Sequence, residues 1–289
     1  MELTPAERLD CERLVRLALE EDLGSTGDLT SSCVVPATTQ GQALFVARKP
    51  GRLAGLPAAE MVFQLVDVTV QWQPLLTDGA TLEAGSPLAR VRGPMRSILI
   101  AERTALNFLQ RLSGIATLTG QYQERIAGSH AILLDTRKTT PGWRRLEKYA
   151  VRCGGGTNHR LGLFDGVLIK DNHLAALGTS PDTVARAILA ARQRYGSSVP
   201  IEVEVDTLEQ LDVALTAGPD IVLLDNMPPE MLREAVTRRD ALAPSVRLEA
   251  SGGVTLDTIA AIAATGVDRV SVGALTHSAV ALDIGLDYE

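Results

Sequence analysis

The sequence predicts an α/β protein in which a mixed N-terminal region precedes an incomplete β/α barrel or an open parallel sheet. Three observations carry this. Six runs, AILLD (131–135), GVLIK (166–170), IEVEVD (201–206), IVLLDN (221–226), VRLEASGG (246–253) and DRVSVGA (268–274), pass from an apolar or alternating core into a polar or glycine-rich end. Most intervals between them are rich in Ala and Leu and read as helix, the strand, loop, helix order of a parallel sheet under helices. Residues 130–289 hold only six such units, too few for a closed eight-stranded barrel. Periodicity leaves two arrangements open: a barrel whose gap the N-terminal region covers, or a sheet that never closes.

Composition narrows the class. With 289 residues, 45% hydrophobic and 22% charged, the chain can bury a large core. Aromatics are only 3%, so the core is aliphatic and no base-stacking platform is present. A formal charge of -7 argues against nucleic acid as a partner, while allowing a local basic pocket for a small anion. Cys11, Cys33 and Cys153 show no metal or redox spacing, which suits a reduced, cytoplasmic setting. No run approaches the ~20 apolar residues of a membrane-crossing helix, and the N-terminus MELTPAERLD lacks the basic and apolar segments of a secretion signal.

Taken in order, Thr4-Pro5-Ala6-Glu7 has the form of a capping box and opens a helix ending before Gly24. Gly24 to Ser31 is expected to be loop, with Asp28 capping a turn or reaching a site. Gln42–Ala47 and Val66–Trp72 read as strands flanking a helix from Pro57 to Leu65. Leu88–Arg92 is a short alternating strand with Arg90 and Arg92 on one, solvated face. A helical period begins at Ser97, and a second helix is expected from about Ile115 to Gly128. The regional boundary falls within residues 112–118.

If the six units close on one another, their polar ends share a rim, the place where barrel enzymes assemble their sites. Arg137 offers a bidentate fork for a carboxylate and Lys138 a less directional charge. His159 and Arg160 follow a glycine-rich segment that lacks the Lys and spacing of an NTPase loop; beside other cations they become anion ligands. Lys170 adds a further charge. Alternation in IEVEVD sets Glu202, Glu204 and Asp206 on one face and the valines on the other, and unpaired acids do not belong in an apolar core. Glu204 and Asp225 could hold Mg²⁺ directly or through water, or could pair with Lys138 or Lys170. Ser251-Gly252-Gly253 and Gly273 end the last two strands, where such folds form phosphate sites. Together these point to a small, phosphate-bearing anion and to phosphoryl or phosphoribosyl transfer.

The motifs Glu21-Asp22-Leu-Gly-Ser-Thr-Gly27-Asp28, Ala101-Glu102-Arg103, Asp135-Thr136-Arg137-Lys138-Thr139, Gly154-Gly-Gly-Thr-Asn-His159-Arg160, Lys170-Asp-Asn-His173, Glu202-Val-Glu204, Leu224-Asp225-Asn226 and Glu249-Ala-Ser251-Gly252-Gly253 run in order along nearly the whole chain. As a set they resemble the quinolinate phosphoribosyltransferase family. The resemblance implies the type II phosphoribosyltransferase fold: an N-terminal α/β sandwich domain, here residues 1–115, and an open β/α barrel domain, residues 116–289, whose last residues pack back on the first domain. It implies transfer of phosphoribose from 5-phosphoribosyl 1-diphosphate to quinolinate with Mg²⁺, giving nicotinate mononucleotide, pyrophosphate and CO2 in de novo NAD biosynthesis. It also implies a homodimer in which Arg103 acts across the interface. Thr136, Arg137, Lys138, His159, Arg160 and Lys170 then surround quinolinate and adjacent phosphates. Glu204 and Asp225 stand near the ribose hydroxyls and the metal. Ser251, Gly252, Gly253 and Gly273 hold the substrate phosphate. Lys138, Lys170, Glu204 and Asp225 are the residues expected to act on the reacting groups.

Overall fold

The computed structural model describes residues 1–178, 180 and 182–289. The chain forms two compact units, one of Met1–Gly120, Thr139–Gly155 and Leu275–Glu289, the other of Gln121–Lys138 and Gly156–Ala274. This grouping is not a single cut near residue 115, because Thr139–Gly155 belongs with the first unit.

The first unit opens with helix α1 (Pro5–Leu23), whose capping box forms: Thr4 Oγ1 accepts from Glu7 N at 3.3 Å and Glu7 Oε2 accepts from Thr4 N at 2.9 Å. Such a cap contributes about 1 kcal/mol. Three expectations are corrected here. The segment after Asp28 is not loop but a short helix, α2 (Leu29–Val34), because the Asp28 carboxylate accepts from Ser31 N and caps it. Strand β1 (Gln40–Ala47) and the two-residue β2 (Gly51–Arg52) lead to α3 (Leu56–Val66). Helix α3 absorbs the start of the strand expected at Val66, and Asp67 then turns the chain by accepting from Thr69 N at 2.9 Å, so β3 spans only Gln71–Pro74. After β4 (Thr81–Leu82) and β5 (Pro87–Pro94), one unbroken helix, α4 (Met95–Arg125), replaces the two expected. Gly114 lies within it. In the fold it admits another backbone, since a Cβ there would lie 2.1 Å from Val280 O.

Within this unit the strands pair antiparallel in the order β12-β1-β5-β3, with β12 (Ile284–Tyr288) supplied by the end of the chain. Phe45, Phe63 and Trp72 meet between sheet and α3 with ring centroids 5.5–6.0 Å apart, a geometry that adds to their area burial.

The second unit contains the six strands read from the sequence: β6 (Ile132–Leu134), β7 (Val167–Ile169), β8 (Ile201–Val205), β9 (Ile221–Asp225), β10 (Arg247–Ser251) and β11 (Arg269–Ser271). They form one parallel sheet in the order β6-β11-β10-β9-β8-β7. Among the described residues β6 and β7 do not pair, so the sheet is open there, and Thr157 bridges to Leu134 at the β6 edge. Val203, Val205, Val222, Leu224, Leu248, Ala250 and Val270 on one strand face are at most 3% exposed. Helices α7 (Thr183–Tyr195), α8 (Leu208–Ala217) and α9 (Pro229–Leu242) each contribute a buried apolar stripe. Their apolar burial, at roughly 25 cal/mol per Å², is what holds this sheet. The opposite strand face carries the chemistry.

Candidate active site

Counting by twos along the strands puts Leu168, Glu202 and Glu204, Leu223 and Asp225, Glu249 and Ser251, and Arg269 and Ser271 on that second face. A cavity of about 530 Å³ opens at its C-terminal end, lined by Thr136, Arg137, Lys138, His159, Arg160, Leu168, Lys170, Glu204, Leu223, Asp225, Asn226, Glu249, Ser251, Gly252, Gly253 and Ser271. Residues from the ends of all six strands therefore reach one cavity, which requires the sheet to curve. A larger groove of about 810 Å³ in the first unit, along α1 and Pro141–Trp143, lacks such convergence; Glu12 and Arg16 on its wall pair with each other.

Each functional side chain is placed by a local device. Asp135, fully buried at the end of β6, accepts from Asn158 Nδ2 at 2.6 Å and from His159 N at 2.8 Å, fixing the segment that carries His159 and Arg160. Thr136 Oγ1 accepts from Lys138 N at 3.0 Å and shapes the turn after the strand. Arg160 Nη1 donates to Gly166 O at 3.0 Å. Burial, and then the nearby Arg137, lower the Arg160 pKa: two guanidinium groups side by side make a site suited to a dianion.

Lys170 Nζ lies 2.9 Å from Glu204 Oε2, so one of the pairings left open by the sequence is formed. Burial, and then the charge of Glu204, raise the Asp225 pKa, against which Asn226, Lys170 and Lys138 act. Two acids that repel across a polar cavity are a donor set for a hard cation with oxygen ligands, and Glu204 and Asp225 fit Mg²⁺ in that respect. Below them His159 Nε2 sits 3.1 Å from Glu202 Oε2 and 3.4 Å from Glu249 Oε1, and Arg269 Nε lies 2.8 Å from Glu249 Oε2. Burial disfavours charge on the His159 ring, but the two carboxylates outweigh it and lift its pKa to about 9. Burial raises Glu202, whereas His159 and Arg269 overcome burial at Glu249 and lower it.

The glycines of the Ser251 loop are required by geometry. Gly252 has φ 92°, and a Cβ there would fall 2.2 Å from Asn226 Oδ1. Asn226 is itself left-handed, with φ 54°, and donates its backbone N–H to Ser251 O at 2.9 Å. The two loops interlock, with the Asn226 side chain against Gly252, and leave open space where a Cβ at Gly253 would stand. Gly273 lies beyond Ser271, off the cavity wall, and Arg103 is an exposed residue of α4 in the first unit. Sequence reasoning had not assigned Leu168, Leu223, Asn226, Glu249 and Ser271 to the site. Most of them stand two residues before or after an assigned strand-end residue, so the period of two would have found them.

Comparison with known proteins accounts for this arrangement. Residues 28–113 match the profile "Quinolinate phosphoribosyl transferase, N-terminal domain" and residues 115–287 its C-terminal counterpart. The chain belongs to the quinolinate phosphoribosyltransferase family. It is 48% identical over 285 residues to a nicotinate-nucleotide pyrophosphorylase [carboxylating] of Mycobacterium leprae, covering 96% of this chain and 99% of that protein. A probable enzyme of the same name from Bacillus subtilis is 44% identical, with 96% and 93% covered. Among solved structures, nicotinate-nucleotide pyrophosphorylase from Francisella tularensis matches with TM-score 0.90 at 40% identity, covering 99% of this chain and 98% of that one. NadC from Streptococcus pyogenes matches with TM-score 0.91, also at 40% identity, with 100% and 99% covered.

Proposed function

We propose that this protein is a quinolinate phosphoribosyltransferase (decarboxylating). It joins quinolinate to 5-phosphoribosyl 1-diphosphate and releases nicotinate mononucleotide, pyrophosphate and CO2, a step of de novo NAD biosynthesis. The observation that carries this is one cavity holding Arg137, Lys138, Arg160 and Lys170 on one side and Glu204 and Asp225 on the other, in a chain of this family.

The mechanism follows from where charge develops. The quinolinate nitrogen attacks the anomeric carbon as pyrophosphate leaves, through a transition state with oxocarbenium character. Arg137 and Arg160 hold the carboxylates of quinolinate and so orient its nitrogen. Lys138 and Lys170 stabilise phosphate charge, and the Gly252-Gly253 backbone receives the 5-phosphate. Glu204 and Asp225 orient the ribose hydroxyls and favour the positive charge that develops on the sugar. The same pair would hold Mg²⁺, which when bound neutralises the diphosphate. Transfer makes the ring nitrogen cationic, and that charge stabilises the electron pair left on the adjacent carbon as the 2-carboxylate departs. Loss of CO2 thus needs no redox cofactor.

The working form in this reading is a cytoplasmic homodimer, with Arg103 of one copy completing the cavity of the other. Its support is the exposure of Arg103 and the family motif that carries it. Mixing Arg103→Ala and Lys138→Ala proteins restores activity through hybrid sites if the arginine is shared, and restores none if each chain works alone.

The decisive assay is Mg²⁺-dependent turnover with all three products measured in one reaction. Equal formation of CO2, pyrophosphate and nicotinate mononucleotide is expected. Pyrophosphate release with nicotinate but not quinolinate would assign another aromatic substrate. Saturable binding of the sugar diphosphate without product would make the protein a binding relative.

A further inference from the structure

Arg160 stands at the start of a loop, residues 161–165, that runs outward and returns to the sheet at Gly166, just before β7. The tip of this loop gains little from apolar burial, since Leu163 and Phe164 are each 74% exposed. Its closure is polar. Asp165 Oδ2 accepts the backbone N–H of Leu161 at 2.6 Å, and Oδ1 accepts that of Gly162 at 2.9 Å. One carboxylate thus ties the outgoing leg of the loop to the returning leg, and an ionised acceptor makes stronger bonds than a neutral one.

The returning leg is anchored. Gly166 is buried, and Val167 N donates to Pro200 O at 3.0 Å as β7 joins β8. Gly166 O accepts from Arg160 Nη1 at 3.0 Å. A Cβ on Gly166 would lie 3.8 Å from both Cβ and Cδ of Arg160, so the arginine stem runs alongside the glycine. Asp165 is the residue next to that anchor, and the two amides it gathers are the two that follow Arg160. Its carboxylate therefore brings the beginning of the loop to the fixed point at its end.

We propose that Asp165 is a positioning residue for Arg160: by closing the neck of the loop it keeps the guanidinium on Gly166 O and so aimed at a ligand carboxylate. This rests on the reading of Arg160 as a quinolinate ligand. Asp165 is not part of the cavity wall, yet its charge reaches Arg160, where with Glu202 it acts against the burial and the Arg137 charge that lower the arginine's pKa. Recognition of one carboxylate of the substrate thus depends on a carboxylate of the protein that the substrate never touches.

Two measurements test it. The first is amide hydrogen exchange in the substrate-free wild-type protein, where the inference requires slowed exchange at Leu161 and Gly162; unprotected amides there overturn it whatever the substrate proves to be. The second is a double-mutant cycle in steady-state kinetics with Asp165→Asn, Arg160→Lys and the two combined. Asp165→Asn keeps the size of the side chain but turns one acceptor into a donor. It is expected to raise KM for quinolinate about tenfold, as a small misplacement of a binding group does, with KM for the sugar diphosphate within about twofold of wild type. In the Arg160→Lys background the same change should add no more than about twofold, because a residue that acts through Arg160 has nothing left to position. Full additivity, equal rises for both substrates, or no rise in a folded variant would overturn the inference. Should Asp165→Asn fail to fold, Asp165→Glu, which keeps the charge but shifts the carboxylate by one methylene, carries the same cycle. A wild-type protein with both amides protected that does not bind quinolinate refutes the functional reading and leaves the closed loop standing.

Discussion

Replacing Lys170 by Met separates the functional and structural roles of the cavity's charges. Lys170 Nζ is 2.9 Å from Glu204 Oε2, with the lysine side chain 46% exposed and the glutamate 13%. Solvent screens so open a pair, and it contributes at most about 1 kcal/mol to folding. The melting temperature is therefore expected to change by no more than about 4 °C. The effect on turnover is larger. A hydrogen bond from a charged donor to a bound anion is worth about 1.5–3 kcal/mol, or roughly 10- to 150-fold in kcat/KM.

A second consequence follows from Asp225. Its pKa is raised by burial and then by Glu204, and Lys170 is one of the groups that offset this. Without the lysine the two acids carry more uncompensated negative charge, so the variant should need less Mg²⁺ for half-maximal activity if that pair holds the ion. The assay is kcat/KM for each substrate across a Mg²⁺ titration, with thermal melts in parallel. Efficiency within threefold of wild type would refute the argument. So would a lost activity accompanied by a melting temperature far below the wild-type value, which would make Lys170 structural.

Three further outcomes are expected. Arg111→Met leaves the fully buried Glu147 without the guanidinium 2.6 Å away, costing about 3–5 kcal/mol; urea unfolding of this variant and of Arg111→Met with Glu147→Leu should show the second change recovering much of the loss. Gly252→Ala forces a Cβ to within 2.2 Å of Asn226 Oδ1 at a φ of 92°, and is expected to destabilise by about 1–3 kcal/mol and to abolish detectable binding of 5-phosphoribosyl 1-diphosphate by calorimetry. The His159 group gives a pH effect. Its folded pKa of about 9 lies above the ordinary 6.5, so the folded protein binds this proton more tightly than the unfolded chain does; the associated stability is complete below pH 6.5 and declines as pH rises through about 9. Melting temperatures measured over that window should fall in the wild type and change less in His159→Gln.

Much of this molecule was legible in the sequence because strand and site share one signal. The runs ending at Asp135, Lys170, Asp225 and Ser251 announced both a buried parallel strand and a polar rim, and β6, β7, β9 and β10 follow them. What misled was local. Val66 is apolar and β-branched, yet it is the half-buried last residue of α3, whose buried face runs through Met61, Val62 and Phe63, so the helix overrode its strand preference. The expected start of a second helix near Ile115 is absent, and the reason for the glycine at 114 lies in Val280, far along the chain. Glu249 was quoted as part of a motif but not given a role, since its partners His159 and Arg269 are brought to it only by the sheet order.

The same period of two explains how one sheet supports both a core and a catalytic cavity. Adjacent residues such as Val203 and Glu204 face opposite ways, so a strand can bury aliphatic side chains under helices while its other face stays charged. In a closed barrel the inner face is filled by apolar layers; here it holds Glu202, Glu249, His159 and Arg269 instead. Such a face cannot bind the strands together by apolar burial, which leaves that task to the helices outside. It must also balance its own charge before any substrate arrives. The lower acids are set against His159 and Arg269, and Glu204 against Lys170. Positive charge is consequently concentrated at the rim, where Arg137 stands close enough to Arg160 to help lower its pKa. A dianion relieves that repulsion on binding, and this is a stronger reason for quinolinate to enter than any one contact taken alone.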